Sequence, residues 1–168
     1  SPYGASKLAG EGYCLAYHGT WGLGTIVLRF ANLYGPFSGH TKGVVALFLQ
    51  DVAAGRPLEV HGDGQQTRDF VYVVDLCRAI LLALESSLCG ELFQIATGTE
   101  TSILELTEQI AGVTQQAITR TYGARRLGDI GQNYSAVSKA EKLLHWQPTT
   151  ALADGLAETW AWFQLNQK

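Results

Sequence analysis

Between Gly24 and Leu33 lies a near-continuous apolar run, Thr25-Ile-Val-Leu-Arg-Phe-Ala31. A strand with one face in water alternates apolar and polar residues, whereas a strand covered on both faces has no need to. The run therefore predicts a buried parallel strand, and parallel strands need crossover segments, usually helices, to return the chain. The flanking sequence supplies them. Residues 3–18 read as a helix with Leu8, Tyr13, Leu15 and Ala16 on one face and Gly19 as its stop. After a Tyr34-Gly-Pro36 turn and a loop at 37–42, residues 43–54 read as a second helix, apolar at Val44, Leu47, Phe48 and Val52 and stopped by Gly55 and Pro57. Residues 58–61 and 69–74 read as strands either side of a Gly62-Asp-Gly64 turn. Asp75 is expected to cap a helix running to Ser86, with Leu76, Ile80, Leu81 and Leu84 inward. A strand at 91–96 precedes a helix opened by a Ser102/Glu105 capping box and ending near Ala111. A strand at 117–122 and helices at 138–144 and 152–165 complete the chain. Strands alternating with helices make the class α/β.

Composition narrows the function. At 168 residues, 46% of them hydrophobic and 16% charged, the chain has the makings of one globular core. A net charge of −3, with Arg125-Arg126 the only adjacent basic pair, argues against nucleic-acid binding, which needs a basic face. No apolar stretch has the length needed to span a bilayer, which points away from a membrane. Cys14, Cys77 and Cys89 are odd in number and form no Cys-x-x-Cys, as expected in a reducing cytoplasm. His18, His40, His61 and His145 are scattered, so no metal site is expected.

The chain opens on Ser1-Pro-Tyr-Gly-Ala-Ser-Lys7. Tyr3 and Lys7, four apart, share a helix face. An ammonium beside a phenol favours the phenolate. A tyrosine so placed can take a proton from a sugar hydroxyl and give it back. The spacing alone is common, and a tyrosine at a helix start is also an ordinary packing residue. Four further motifs accompany the pair: Leu28-Arg-Phe-Ala-Asn-Leu-Tyr-Gly-Pro36, Gly62-Asp-Gly-Gln-Gln-Thr-Arg-Asp-Phe-Val-Tyr-Val-Val-Asp75, Arg126-Leu-Gly-Asp129 and Leu144-His-Trp-Gln-Pro148. In this order and at these spacings the chain, from Ser1 to about Trp162, resembles the C-terminal half of the NAD-dependent epimerase/dehydratase family. These are the extended short-chain dehydrogenases of nucleotide-sugar metabolism, and bacterial UDP-glucose 4-epimerases are the most similar group.

The resemblance implies a fold and a set of roles. Residues 1–35 would end a NAD-binding Rossmann domain. Residues 36–168 would form mainly the smaller α/β substrate-binding domain, with one strand and helix returning to the doubly wound sheet. Helix 3–18 would lie in a four-helix bundle of a homodimer. Lys7 would bond the nicotinamide ribose of NAD and lower the pKa of Tyr3, the base for the 4-hydroxyl of a UDP-hexose. Tyr34 and Pro36 would lie beside the nicotinamide. Asn32, Arg68 and Arg126 would hold the diphosphate, and Asp129 a ribose hydroxyl. The helix start at Lys42 and Val44 would offer backbone N–H groups to the nucleotide. His61 stands where the family puts an aromatic ring against the base. Read from residue type alone, Asn32 also suits a turn, Tyr34 and Pro36 a plain turn, Lys42 to Val44 a solvated helix start, Arg68 a surface pair with Asp69 or Asp63, and His61 an exposed strand end.

Departures from the family pattern are Ala136 for an aspartate and His145 for a glycine, both at positions that look structural. Asn133 falls near the place that gates the sugar's 2-substituent. No glycine-rich turn of the NAD-binding type follows a strand, the family's catalytic Ser or Thr would precede Tyr3, and methionine is absent. The expectation is a fragment of a longer cytoplasmic protein, inactive and prone to associate by itself. A 4,6-dehydratase or decarboxylase of the same family, or a non-catalytic module that binds sugar nucleotides, are the alternatives.

Overall fold

In the computed structural model, which describes residues 1–166, the apolar run is not one strand but two. Helix α1 (Pro2–Trp21) is capped by the Ser1 hydroxyl and ends on Gly22, in the left-handed region, three residues past the expected stop. Strand β1 (Ile26–Phe30) then breaks at Ala31, and β2 (Asn32–Tyr34) follows. Helix α2 (Val44–Ala53), β3 (Leu58–His61), β4 (Thr67–Arg68) and β5 (Phe70–Tyr72) come next. Helix α3 (Val73–Glu85), β6 (Glu91–Ile95), β7 (Thr101–Ser102) and α4 (Ile103–Thr114) lead to β8 (Arg120–Gly123), α5 (Ser138–Leu144) and α6 (Leu152–Leu165).

Three of the four strand pairs are parallel and join segments far apart in sequence: β1 with β6, β2 with β5, and β3 with β8. The break at Ala31 hands the chain from one pair to the next, because Ala31 N–H bonds Ile95 on β6 while Asn32 N–H bonds Asp69, just before β5. A short antiparallel pair, β4 with β7, was not legible in the sequence; at two residues each these strands carry no periodicity.

Two apolar cores result. One collects Phe48 and Leu49 of α2, Val60 of β3, Leu106 and Ile110 of α4 and Leu156 of α6 around Tyr34. The other joins Val71, Leu76, Phe93, Ile95, Ala140 and Trp146. Trp146 is buried and its indole N–H donates to the Asp75 carbonyl, 2.9 Å away, so Leu144-His-Trp-Gln-Pro148 is the stitch that closes the second core.

Two expectations for α3 fail. The helix begins at Val73, and Asp75 sits inside its first turn rather than at its cap. The carboxylate is buried and accepts from Thr149 and Thr150 N–H groups and the Thr149 hydroxyl. A buried carboxylate needs several donors, and the loop before α6 supplies them. Ile80, Leu81 and Leu84, expected inward, are 42%, 57% and 76% exposed. The apolar side of α1 is uncovered as well, and none of its residues is buried.

Candidate active site

The ends of β2, β3 and β4, the start of α2 and the loop after β8 enclose a cavity of about 400 Å³. Asn32, Lys42, Val44, His61, Arg68, Arg126 and Asp129, drawn from five separate stretches of sequence, all line it. Their clustering is a product of topology. The β2–β5 pairing brings Asn32 opposite Phe70, two residues from Arg68, and the β3–β8 pairing delivers the loop that carries Arg126 and Asp129.

Arg68 anchors the cavity floor. Its Nη1 donates to the carbonyls of Thr67 and Ile130, both at 2.7 Å, and its Nη2 donates to Asp129 Oδ1. Three of five donors are therefore engaged, leaving Nε–H and one Nη2–H. The partner is neither Asp69 nor Asp63. Asp69 is fully buried and accepts from Thr97 N–H, the Thr97 hydroxyl and Gly98 N–H. Asp63 accepts from Gln65 N–H. Asp129 is in turn fixed by Arg68, with its second oxygen outside that bond.

Asn32 is half-buried, and its Nδ2 donates to the Asp69 carbonyl at 3.1 Å, which orients the amide and leaves Oδ1 and one N–H. Helix α2 has Gly43 as its N-cap with no side-chain bond, so its first-turn N–H groups are open to a ligand beside Lys42 and Val44. Arg126 Nη2 lies 2.7 Å from His61 Nε2. The cavity is not purely basic. Asp51 lines it but is held by Arg56, and Glu59 lines it 3.9 Å from His61. The sequence reading missed Glu59 and Gln66. Glu59 was findable, because residues two apart on a strand share a face.

Tyr3, Lys7, Tyr34 and Pro36 do not line this cavity. Tyr3 is 72% exposed near the start of α1, and the Lys7 ammonium sits 5.3 Å from its ring centroid, as four-residue spacing requires. The Tyr34 side chain is a core residue, against the rings of Phe70 and Tyr72, and burial pushes its phenol well above the ordinary range. Pro36 lies in the turn that follows.

The family description "NAD dependent epimerase/dehydratase family" matches residues 1–96, more than half of the chain. The chain belongs to the NAD-dependent epimerase/dehydratase family. Within that family, a UDP-glucose 4-epimerase of Mycolicibacterium smegmatis is 39% identical over 166 residues, covering 98% of this chain and 53% of the relative. A dTDP-glucose 4,6-dehydratase of Actinoplanes sp. is 36% identical over 168 residues, covering 99% and 52%. The crystal structure of a UDP-glucose 4-epimerase from Thermotoga maritima with UDP-glucose superposes with a TM-score of 0.95 at 35% identity, over 100% of this chain and 55% of that one. The chain spans about half the length of the relatives it matches. No helix among its described residues is long and apolar enough to cross a membrane.

Proposed function

We propose that the chain carries the substrate side of a NAD-dependent UDP-hexose 4-epimerase, with Tyr3 as the base. The observation that supports this is the single cavity in which Asn32, Lys42, Arg68 and Arg126 converge beside an uncapped helix start. A nucleoside diphosphate sugar brings two linked phosphates, and arginine forks and helix N-termini suit them. The cavity volume falls in the range of small-molecule sites. In this reading Asp129, locked by Arg68, keeps one oxygen for a ribose hydroxyl.

Tyr3 and Lys7 fit the nicotinamide ribose and the reacting hydroxyl because both stand in the open on one face of α1, with no core contact to break. NAD, when bound, supplies the acceptor and donor for the hydrogen on the sugar's C4. Tyr3 takes the hydroxyl proton and returns it, while Lys7 orients the ribose. The full protein would be a cytoplasmic homodimer joined through α1.

A 4,6-dehydratase is the second reading, favoured by the 36% identity to the Actinoplanes enzyme. Both reactions open with the same 4-oxidation, so the products separate them. UDP-glucose titrated by calorimetry, with and without NAD, tests the site. Binding without any NAD dependence supports a substrate site formed by this chain alone, and absence of binding in both cases overturns it. In the NAD-loaded enzyme Tyr3→Phe should lower turnover about a hundredfold or more. Full activity of that variant would remove Tyr3 from its role.

A further inference from the structure

Strand β3 turns Leu58 and Val60 into the core and leaves Glu59 and His61 on the outer face, two residues apart. The His61 ring reaches the loop after β8. Its Nε2 lies 2.7 Å from Arg126 Nη2, and its Nδ1 lies 3.9 Å from Glu59 Oε1. A guanidinium has only donors, so Nε2 must be the acceptor. The imidazole proton then belongs on Nδ1, the side that faces Glu59.

The opposite strand makes room for this row. The parallel register seats Gly123 across from His61. A Cβ at Gly123 would lie 2.8 Å from Glu59 Oε1 and 3.2 Å from His61 Nδ1. A larger residue there would push the Glu59 carboxylate aside and crowd the ring.

Arg126 is exposed on an irregular loop, in contrast to Arg68, whose fork is pinned by Asp129 and two carbonyls. A long side chain on a loop loses rotamer freedom when it grips a ligand, and holding it beforehand removes part of that cost. We propose that His61 is a positioning residue: its Nε2 accepts from Arg126 and holds that guanidinium at the cavity for the diphosphate, rather than serving as a stacking platform for the base. This inference rests on the nucleotide-sugar reading above and adds to it the means by which one phosphate-binding arginine is pre-set.

Stacking and positioning predict opposite results for His61→Phe, which enlarges the ring and deletes the acceptor. The probe is UDP, titrated by calorimetry into wild-type protein, His61→Phe, His61→Gln, Arg126→Ala and the double variant His61→Phe/Arg126→Ala. We expect His61→Phe to weaken UDP binding about 5- to 10-fold, a hydrogen bond to a charged group at a partly exposed site. His61→Gln, which keeps an acceptor, should recover most of that loss. On the Arg126→Ala background His61→Phe should add nothing, because residues acting through one another are not additive. Wild-type affinity in His61→Phe, or a full further loss in the double variant, overturns the positioning role and leaves the nucleotide-sugar reading standing. No UDP binding by the wild-type protein overturns both.

Discussion

His145 closes helix α5 with φ of +52°, a left-handed conformation that costs a side chain with a Cβ roughly 1 kcal/mol. The family's usual glycine at this place has no such cost. His145→Gly should therefore stabilise the protein by up to about 1 kcal/mol, read as a raised urea midpoint at unchanged slope. The opposite holds at Gly155 in α6, where a Cβ would collide with the Tyr34 hydroxyl and lie 2.9 Å from Tyr72. Gly155→Ala overpacks the first core and should cost about 1–3 kcal/mol in the same measurement. Arg68→Lys keeps the charge but loses the fork, and with it the bonds to Thr67, Ile130 and Asp129. UDP-glucose binding should fall about tenfold or more, and an unchanged affinity would mean that Arg68 acts as a point charge. Residue type alone marked Arg68 as a phosphate ligand or a surface ion pair. It did not reveal Asp129 as the partner, which lies 61 positions away in sequence.

At the level of elements, local chemistry was legible and neighbours were not. The Ser102/Glu105 box is formed as its spacing predicts, with Glu105 N–H donating to Ser102 Oγ at 3.1 Å and Ser102 N–H donating to the Glu105 carboxylate at 2.7 Å. Those bonds to Ser102 hold the Glu105 carboxyl below its ordinary 4.5. The pKa is depressed on folding, so the contribution is present above pH 4.5 and is lost as the pH falls through the lowered value. Wild type should thus lose its stability advantage over Glu105→Gln as the pH drops below that point, which melting curves between pH 3 and 7 would reveal, taken at roughly unit steps. Helix α3 shows the limit of such reading. Its periodicity marks a helix, but period alone does not say which apolar residues are buried, and Ile80, Leu81 and Leu84 stay largely exposed.

Seen whole, the molecule presents apolar surface on two sides. Tyr3, Tyr13 and Trp21 on α1 are 72%, 69% and 70% exposed, and among the described residues β1 is hydrogen-bonded to β6 along one edge only. Unpaired strand edges and contiguous apolar faces drive association. Sedimentation of the purified chain should show species larger than its 18.2 kDa. A monodisperse monomer that melts cooperatively would sink this expectation.

The α/β class, the presence of each helix, the capping box and the pairing of Tyr3 with Lys7 along one helix face were all written in the sequence, because each depends on residues within a few positions of one another. Topology decided the rest. Only folding could break the 24–33 run at Ala31, bury Asp75 under the Thr149 loop, and gather Asn32, Lys42, His61, Arg68, Arg126 and Asp129 around one cavity. These contacts join segments tens of residues apart, and their register is set by which strands pair, a choice made by the burial of both cores together rather than by any local pattern.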